Sequence, residues 1–153
     1  NAGRGNYGIA QSAKQLIDET RTLIKEILNC PAKQVVFTPT ATIALNIILQ
    51  GMIRMGVKNV YISPFEHNAV TRVLHHFDEQ GEIKVYELFV DRNLTYDLER
   101  IRYQFEESKP DIVVVSHASN VIGLIAPIEE IFALAKKTWS VYSSGHVTDS
   151  GID

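Results

Sequence analysis

Short apolar runs separated by amphipathic segments of ten residues or more recur along the chain, and that alternation constrains the fold more than any other feature. Val35-Val36-Phe37-Thr38 reads as a short buried strand, Val60-Tyr61-Ile62 as a second, Ile83 to Leu88 as a third and Ile112 to Val115 as a fourth. All are rich in the β-branched and aromatic residues that suit a pleated surface. Ahead of them Ile9, Ala13, Leu16, Ile17, Leu23, Ile24, Ile27 and Leu28 fall at helical spacing with charges between, which predicts a long amphipathic helix ended by Pro31. Further helices are expected over Ala41 to Met52, ended at Gly51 and its neighbours, and over His67 to Gln80, closed by Gly81. Two more are expected over Tyr96 to Ser108 and over Pro127 to Lys137, the latter with proline in its first turn. Strands joined through helices of this length run parallel, because an antiparallel neighbour needs only a tight turn. The all-apolar run Ile112-Val113-Val114-Val115 fits a strand covered on both faces. The predicted class is therefore α/β, with a mostly parallel sheet flanked by helices.

Composition narrows the function classes. With 153 residues, 45% of them hydrophobic and 22% charged, the chain holds about one domain's worth of sequence and can bury a core without disulfides or a structural metal. Its single cysteine, Cys30, excludes a disulfide framework and fits a reducing, cytoplasmic setting. No metal site is expected. Fifteen Lys and Arg against eighteen Asp and Glu give a formal charge of -3 with no basic stretch, so nucleic acid is not an expected partner. The apolar runs are far short of a membrane span, and the N-terminus lacks a basic-then-apolar signal, so no membrane association is expected. The rhythm breaks after Lys137. Thr138 to Asp153 is polar and turn-rich where the pattern calls for another buried strand.

Ligands of parallel α/β sheets bind beyond the carboxyl ends of the strands, so chemistry is sought in the loops that follow them. Thr38-Pro39-Thr40-Ala41-Thr42 is small and hydroxylic and opens into a helix whose free N–H groups and positive dipole end suit an anion such as phosphate. The same residues also suit an ordinary Thr N-cap. Ser63-Pro64-Phe65-Glu66-His67-Asn68 puts His67 at a helix start, where an imidazole can stack on an aromatic ligand, move a proton or merely cap the helix. Ser116-His117-Ala118-Ser119-Asn120-Val121-Ile122-Gly123 offers Asn120 to a ligand oxygen, although Asn and Gly are also the residues that turns with positive φ prefer. His75 and His76 lack metal-ligand spacing and are expected to be solvated, and Cys30 beside Pro31 has no feature of a nucleophile. Neither GxGxxG nor GxxxxGK[ST] is present.

In order and spacing these loops resemble the pyridoxal-phosphate-dependent class V aminotransferases, specifically the cysteine desulfurase and selenocysteine lyase group. The resemblance rests on Asn1-Ala2-Gly3-Arg4-Gly5-Asn6-Tyr7, FTPTATIALN from Phe37 to Asn46, Glu66-His67-Asn68-Ala69-Val70, and SHASNVIG from Ser116 to Gly123 followed by Pro127-Ile128-Glu129-Glu130-Ile131. It implies a partial large domain of the type I pyridoxal-phosphate transferase fold over residues 1–137, followed by a tail at 138–153 that departs from the family pattern. By resemblance, Ala41 and Thr42 cradle the cofactor phosphate, His67 stacks on the pyridine ring as the candidate catalytic residue, and Asn120 reaches the ring's phenolic oxygen. The resemblance further implies a homodimer, an amino acid as small-molecule substrate, and a sheet in which Val35 to Thr38 lies beside strands from a later part of the domain. With those strands missing, that segment is expected to lose its neighbours.

The family also uses a lysine that holds the cofactor as a Schiff base, an aspartate on the pyridine nitrogen, and in desulfurases a later cysteine that takes the sulfur. No lysine of this chain, Lys136 and Lys137 included, stands in a matching context; by resemblance the lysine and that cysteine belong beyond Asp153 and a further segment precedes the match to Asn1, so both ends of the family domain are expected to be missing. Where the family continues with a pattern like HGAxxxVDxSQTAG, this chain reads TWSVYSSGHVTDSGID. Back-translated with Trp as TGG and each Ser as AGY, and read one base later, that stretch permits His-Gly-Ala, several apolar residues and then Asp-Thr-Ser-Gln-Thr-Ala-Gly, which predicts a reading-frame shift near Thr138. The expected function is a fragment of a cysteine desulfurase-like enzyme, inactive as this chain and binding pyridoxal phosphate weakly or not at all. The alternatives are a non-catalytic folded or dimerising module that binds no cofactor, and another class V activity such as transamination.

Overall fold

The computed structural model describes residues 7–119 and 122–143. The chain divides into two units, 1–39 and 40–153.

In the first unit helix α1 spans Gly8–Ile27. It ends where Asn29 turns left-handed at φ 49°, with Asn29 N–H donating to the Glu26 carbonyl and Cys30 N–H to the Lys25 carbonyl. This is the two-bond cap that frees a chain from a helix, and Pro31 lies beyond it. The expected strand at Val35 to Thr38 does not form. The segment joins no sheet, and Val36 is 77% and Phe37 49% exposed. β-Propensity describes side chains that fit a sheet, but a strand exists only where another strand pairs with it, and among the described residues no strand pairs with this segment. The segment instead follows α1: Arg21 donates from Nε to the Val35 carbonyl at 3.2 Å and sets its guanidinium 5.6 Å from the Phe37 ring centre.

The second unit carries the α/β core. Helix α2 (Ala41–Arg54) leads to strand β1 (Asn59–Ile62), helix α3 (Asn68–Glu79), strand β2 (Lys84–Glu87), helix α4 (Leu98–Glu107), strand β3 (Ile112–Val114) and helix α5 (Ile128–Ser143). The three strands form one parallel sheet in the order β2-β1-β3, with Val60 opposite Val85 on one side and Ile112 on the other. Alternation along each strand builds two cores. Val60, Ile62, Val85, Ile112 and Val114 face α2 and α3, meeting Leu45, Leu49, Ile53, Val70 and Leu74. Tyr61, Tyr86 and Val113 face α4 and α5, meeting Ile101, Phe105, Ile131 and Ala135. The result is three layers, helices over both faces of a parallel sheet.

Helix boundaries shift from the sequence reading for identifiable reasons. Gly51 lies inside α2, which runs on to Arg54 and is closed by Gly56 at φ 103°. Helix α5 continues past Lys137 to Ser143, since nothing from Thr138 to Ser143 is a proline or glycine that would stop it. The remainder of the predicted departing tail, 144–153, lies outside the described residues.

Candidate functional site

Each candidate side chain is placed by a strand's carboxyl end or by a helix that begins there. β1 leaves the sheet at Ser63, whose N–H makes a last rung to the Val114 carbonyl at 3.0 Å. The chain turns through Pro64 and Phe65, and α3 starts at Asn68 with His67 as its N-cap. Helix α2 enters β1 at the strand's amino end, so its own first turn, Ala41 and Thr42, lies toward the carboxyl rim on the same sheet face as α3. β1 connects through α3 to β2 on one side, and β2 returns over the other face to β3, which makes the crevice between β1 and β3 the switch point where such sheets bind ligands.

At α2 the Thr40 hydroxyl accepts from the Ile43 N–H at 3.2 Å, and the first main-chain helical bond runs from Ala44 N–H to the Thr40 carbonyl. The N–H groups of Ala41 and Thr42 precede that bond and are directed out of the helix end, alongside the exposed Thr42 hydroxyl. That donor set suits a phosphate dianion. His67 is exposed, and its Nδ1 accepts from the Ala69 N–H at 3.0 Å. With Nδ1 an acceptor, the neutral ring carries its proton on Nε2, and the cap fixes the ring's orientation. His67 therefore caps the helix through Nδ1, and the residue is otherwise exposed. Asn120 lies outside the described residues. On its flanks Ala118 bridges Ile125, and Gly123, at φ 68°, donates to the Ser119 carbonyl.

Two arrangements at this rim had no assigned role in the sequence reading. The Glu66 carboxylate spans the crevice: Oε1 accepts from the Ser116 N–H and Oε2 from the Ser116 hydroxyl at 2.7 Å. Beneath it the buried Ser63 hydroxyl meets the Tyr96 hydroxyl at 2.6 Å and accepts from the Phe65 N–H at 3.0 Å. Burial raises the Tyr96 phenol above its ordinary value; the Ser63 bond opposes that shift and the Glu66 charge adds to it. The usable signal was positional, since Ser63 directly follows β1, Ser116 directly follows the apolar run Ile112 to Val115, and Glu66 directly precedes the candidate histidine.

The rim offers helix-end N–H groups, a hydroxyl and an exposed imidazole, groups of the kind that hold a phosphate and an aromatic ring, but no lysine for a covalent tether. All eight lysines lie within the described residues, and none of those in the second unit is at the carboxyl rim. Lys58, Lys84 and Lys109 precede or open strands at the opposite, amino rim, while Lys136 and Lys137 lie well along α5, away from its start. His75 and His76 are exposed on α3, and no group of three or more metal-ligating side chains gathers among the described residues. Among those residues no helix is long and apolar enough to cross a membrane.

The family model described as aminotransferase class-V matches residues 1–143. The chain is 36% identical over 129 residues to cysteine desulfurase IscS 1 of Archaeoglobus fulgidus, covering 82% of this chain and 33% of that protein. A probable cysteine desulfurase of Pyrococcus abyssi is 23% identical over 144 residues, covering 93% of this chain and 35% of its own length. Among solved structures, the apo cysteine desulfurase of Thermococcus onnurineus NA1 superposes with a TM-score of 0.78 at 22% identity, covering 90% of this chain and 34% of that one. DndA from Streptomyces lividans superposes with a TM-score of 0.69 at 27% identity, over 86% of this chain and 37% of its own. The chain thus spans about a third of the length of these relatives.

Proposed function

Because the chain belongs to the aminotransferase class-V family, we propose that it is the cofactor-cradling part of a cysteine desulfurase-like protein, binding pyridoxal phosphate weakly and reversibly and not catalysing sulfur abstraction by itself. One observation carries this reading: the first turn of α2 and the capped His67 lie at the carboxyl rim on one sheet face, and no lysine of that unit shares the rim.

When bound, pyridoxal phosphate supplies an electron sink for bonds at the α-carbon of an amino acid. The N–H groups of Ala41 and Thr42 and the Thr42 hydroxyl hold the phosphate, the helix dipole adding to their attraction. His67, its ring fixed through Nδ1 on the Ala69 N–H, presents a face to the pyridine ring and keeps the Nε2 proton directed away from the cap. Asn120 is assigned to the ring's phenolic oxygen by its position in the family pattern. An amino acid is the proposed substrate of the full-length form, and a homodimer in the cytoplasm the proposed state. Support for self-association comes from apolar residues left in water on α2, where Ile47 is 61% and Ile48 55% exposed. Support for a reducing compartment comes from the unpaired Cys30.

Mixing the purified chain with pyridoxal phosphate, reducing with borohydride and mapping adducts tests the reading. The expected result is saturable, reversible binding without a single labelled lysine. One stoichiometric, site-specific adduct contradicts the missing tether, and absence of saturable binding favours the non-catalytic module. The proposed frame shift near Thr138 is tested by the nucleotide sequence around that codon; a shifted frame without an uninterrupted family continuation ends that proposal.

A further inference from the structure

We infer that Glu66 is a positioning residue that holds the His67 platform in register with the loop after β3, an inference that rests on the cofactor-cradle reading above. The main-chain ladder between β1 and β3 ends with Ser63 N–H on the Val114 carbonyl, because the chain turns away at Pro64. The next rung of a parallel ladder would run from the Ser116 N–H to the Ser63 carbonyl, which accepts from the Glu66 N–H instead. The Glu66 carboxylate takes that place, one oxygen accepting the Ser116 N–H and the other its hydroxyl. A side chain thus extends the ladder across the mouth of the switch-point crevice.

The consequence lies in what each end carries. Glu66 adjoins His67 in sequence, and its own N–H donates to the Ser63 carbonyl at 3.3 Å, so the carboxylate and the N-cap move as one turn. Ser116 opens the loop that leads to Asn120. A two-point bond between them fixes the spacing of the two loops assigned to the ring, while the phosphate cradle on α2 lies outside it. The buried Ser63–Tyr96 pair anchors the turn from beneath, with the Tyr96 ring edge-on to Phe65 at 6.1 Å between centres. Glu66 so acts on the ring half of the site through other residues and not by touching the ligand.

Wild type, Glu66→Ala, Glu66→Gln and Ser116→Ala are titrated with pyridoxal phosphate and, separately, with inorganic phosphate, and hydrogen exchange at the Ser116 amide is followed by NMR. Glu66→Ala is expected to weaken pyridoxal phosphate about tenfold, the scale of one charge-assisted hydrogen bond, and to leave inorganic phosphate unchanged. It is also expected to speed Ser116 exchange about tenfold. Glu66→Gln, which can still accept the Ser116 N–H and offer its amide to the hydroxyl, restores most of both. Equal pyridoxal phosphate affinity in wild type and Glu66→Ala overturns the inference while the cradle stands. If wild type binds pyridoxal phosphate no better than inorganic phosphate, the cradle reading fails instead, and unchanged Ser116 exchange in Glu66→Ala then removes the bridge as well.

Discussion

Leu94 holds φ at 63° in the loop between β2 and α4, a conformation in which a Cβ crowds the following carbonyl. The loop holds it there by main-chain and side-chain bonds: Asp91 N–H donates to the Thr95 carbonyl, and the Asp91 carboxylate accepts from the amides of Asn93 and Thr95. Since Leu94 is 44% exposed, little packing is lost on removing it. Leu94→Gly is expected to stabilise the protein by about 1 kcal/mol, read as a higher urea midpoint with an unchanged slope. Tyr61 behaves differently. Burial pushes its phenol up to about 12, with the Tyr86 and Glu107 charges adding to the shift. Its hydroxyl lies 2.7 Å from the Gln104 carbonyl and 2.8 Å from that of Ser108. The unfolded chain releases this proton near pH 10 while the folded chain keeps it, so stability is intact below that pH and falls as pH rises toward 12. Urea midpoints between pH 9 and pH 11.5 should therefore decline less steeply in Tyr61→Phe than in wild type; equal slopes would contradict the assignment.

The helices show how much of an element its sequence announces. α3 was legible at both ends, because His67 and Gly81 are the residues its N-cap and left-handed exit use. α2 was legible at its start only. Gly51 resembles a stop signal, yet the exit needs a left-handed residue followed by an amide that reaches back to the last turn, and Gly56 with the Val57 N–H on the Met52 carbonyl provides it. These two roles of glycine separate on mutation. Gly51→Ala, with nothing within 4 Å of the added methyl, is expected to stabilise by roughly 0.5 to 1 kcal/mol, whereas Gly56→Ala and Gly81→Ala each destabilise by about 1 kcal/mol, all measured by chemical denaturation. The misread strand at Val35 to Thr38 marks the limit of such reading, since pairing depends on residues remote in sequence. For the same reason Thr42 and His67 could be proposed from local pattern, but the reach of Glu66 to Ser116, fifty positions away, could not.

For the whole molecule the sheet order is decisive. With β1 in the middle, its two edges are completed at different places along the chain, β2 soon after α3 and β3 only after α4. The later seam is secured at the amino rim by Asp111, whose Oδ2 accepts from the amides of both Lys58 and Asn59 at 2.9 Å. Asp111→Ala is expected to cost roughly 1 to 2 kcal/mol in equilibrium urea unfolding, because it strands two amides that a charged acceptor had satisfied. The same order has a kinetic side. As a polypeptide emerges from a ribosome, β1 can close against β2 while its opposite flank, Val60 to Ile62, stays bare until Ile112 to Val114 have been synthesised. During that interval the nascent chain displays an apolar ribbon open to any passing extended segment, an exposure set by the position of one four-residue strand in the sheet.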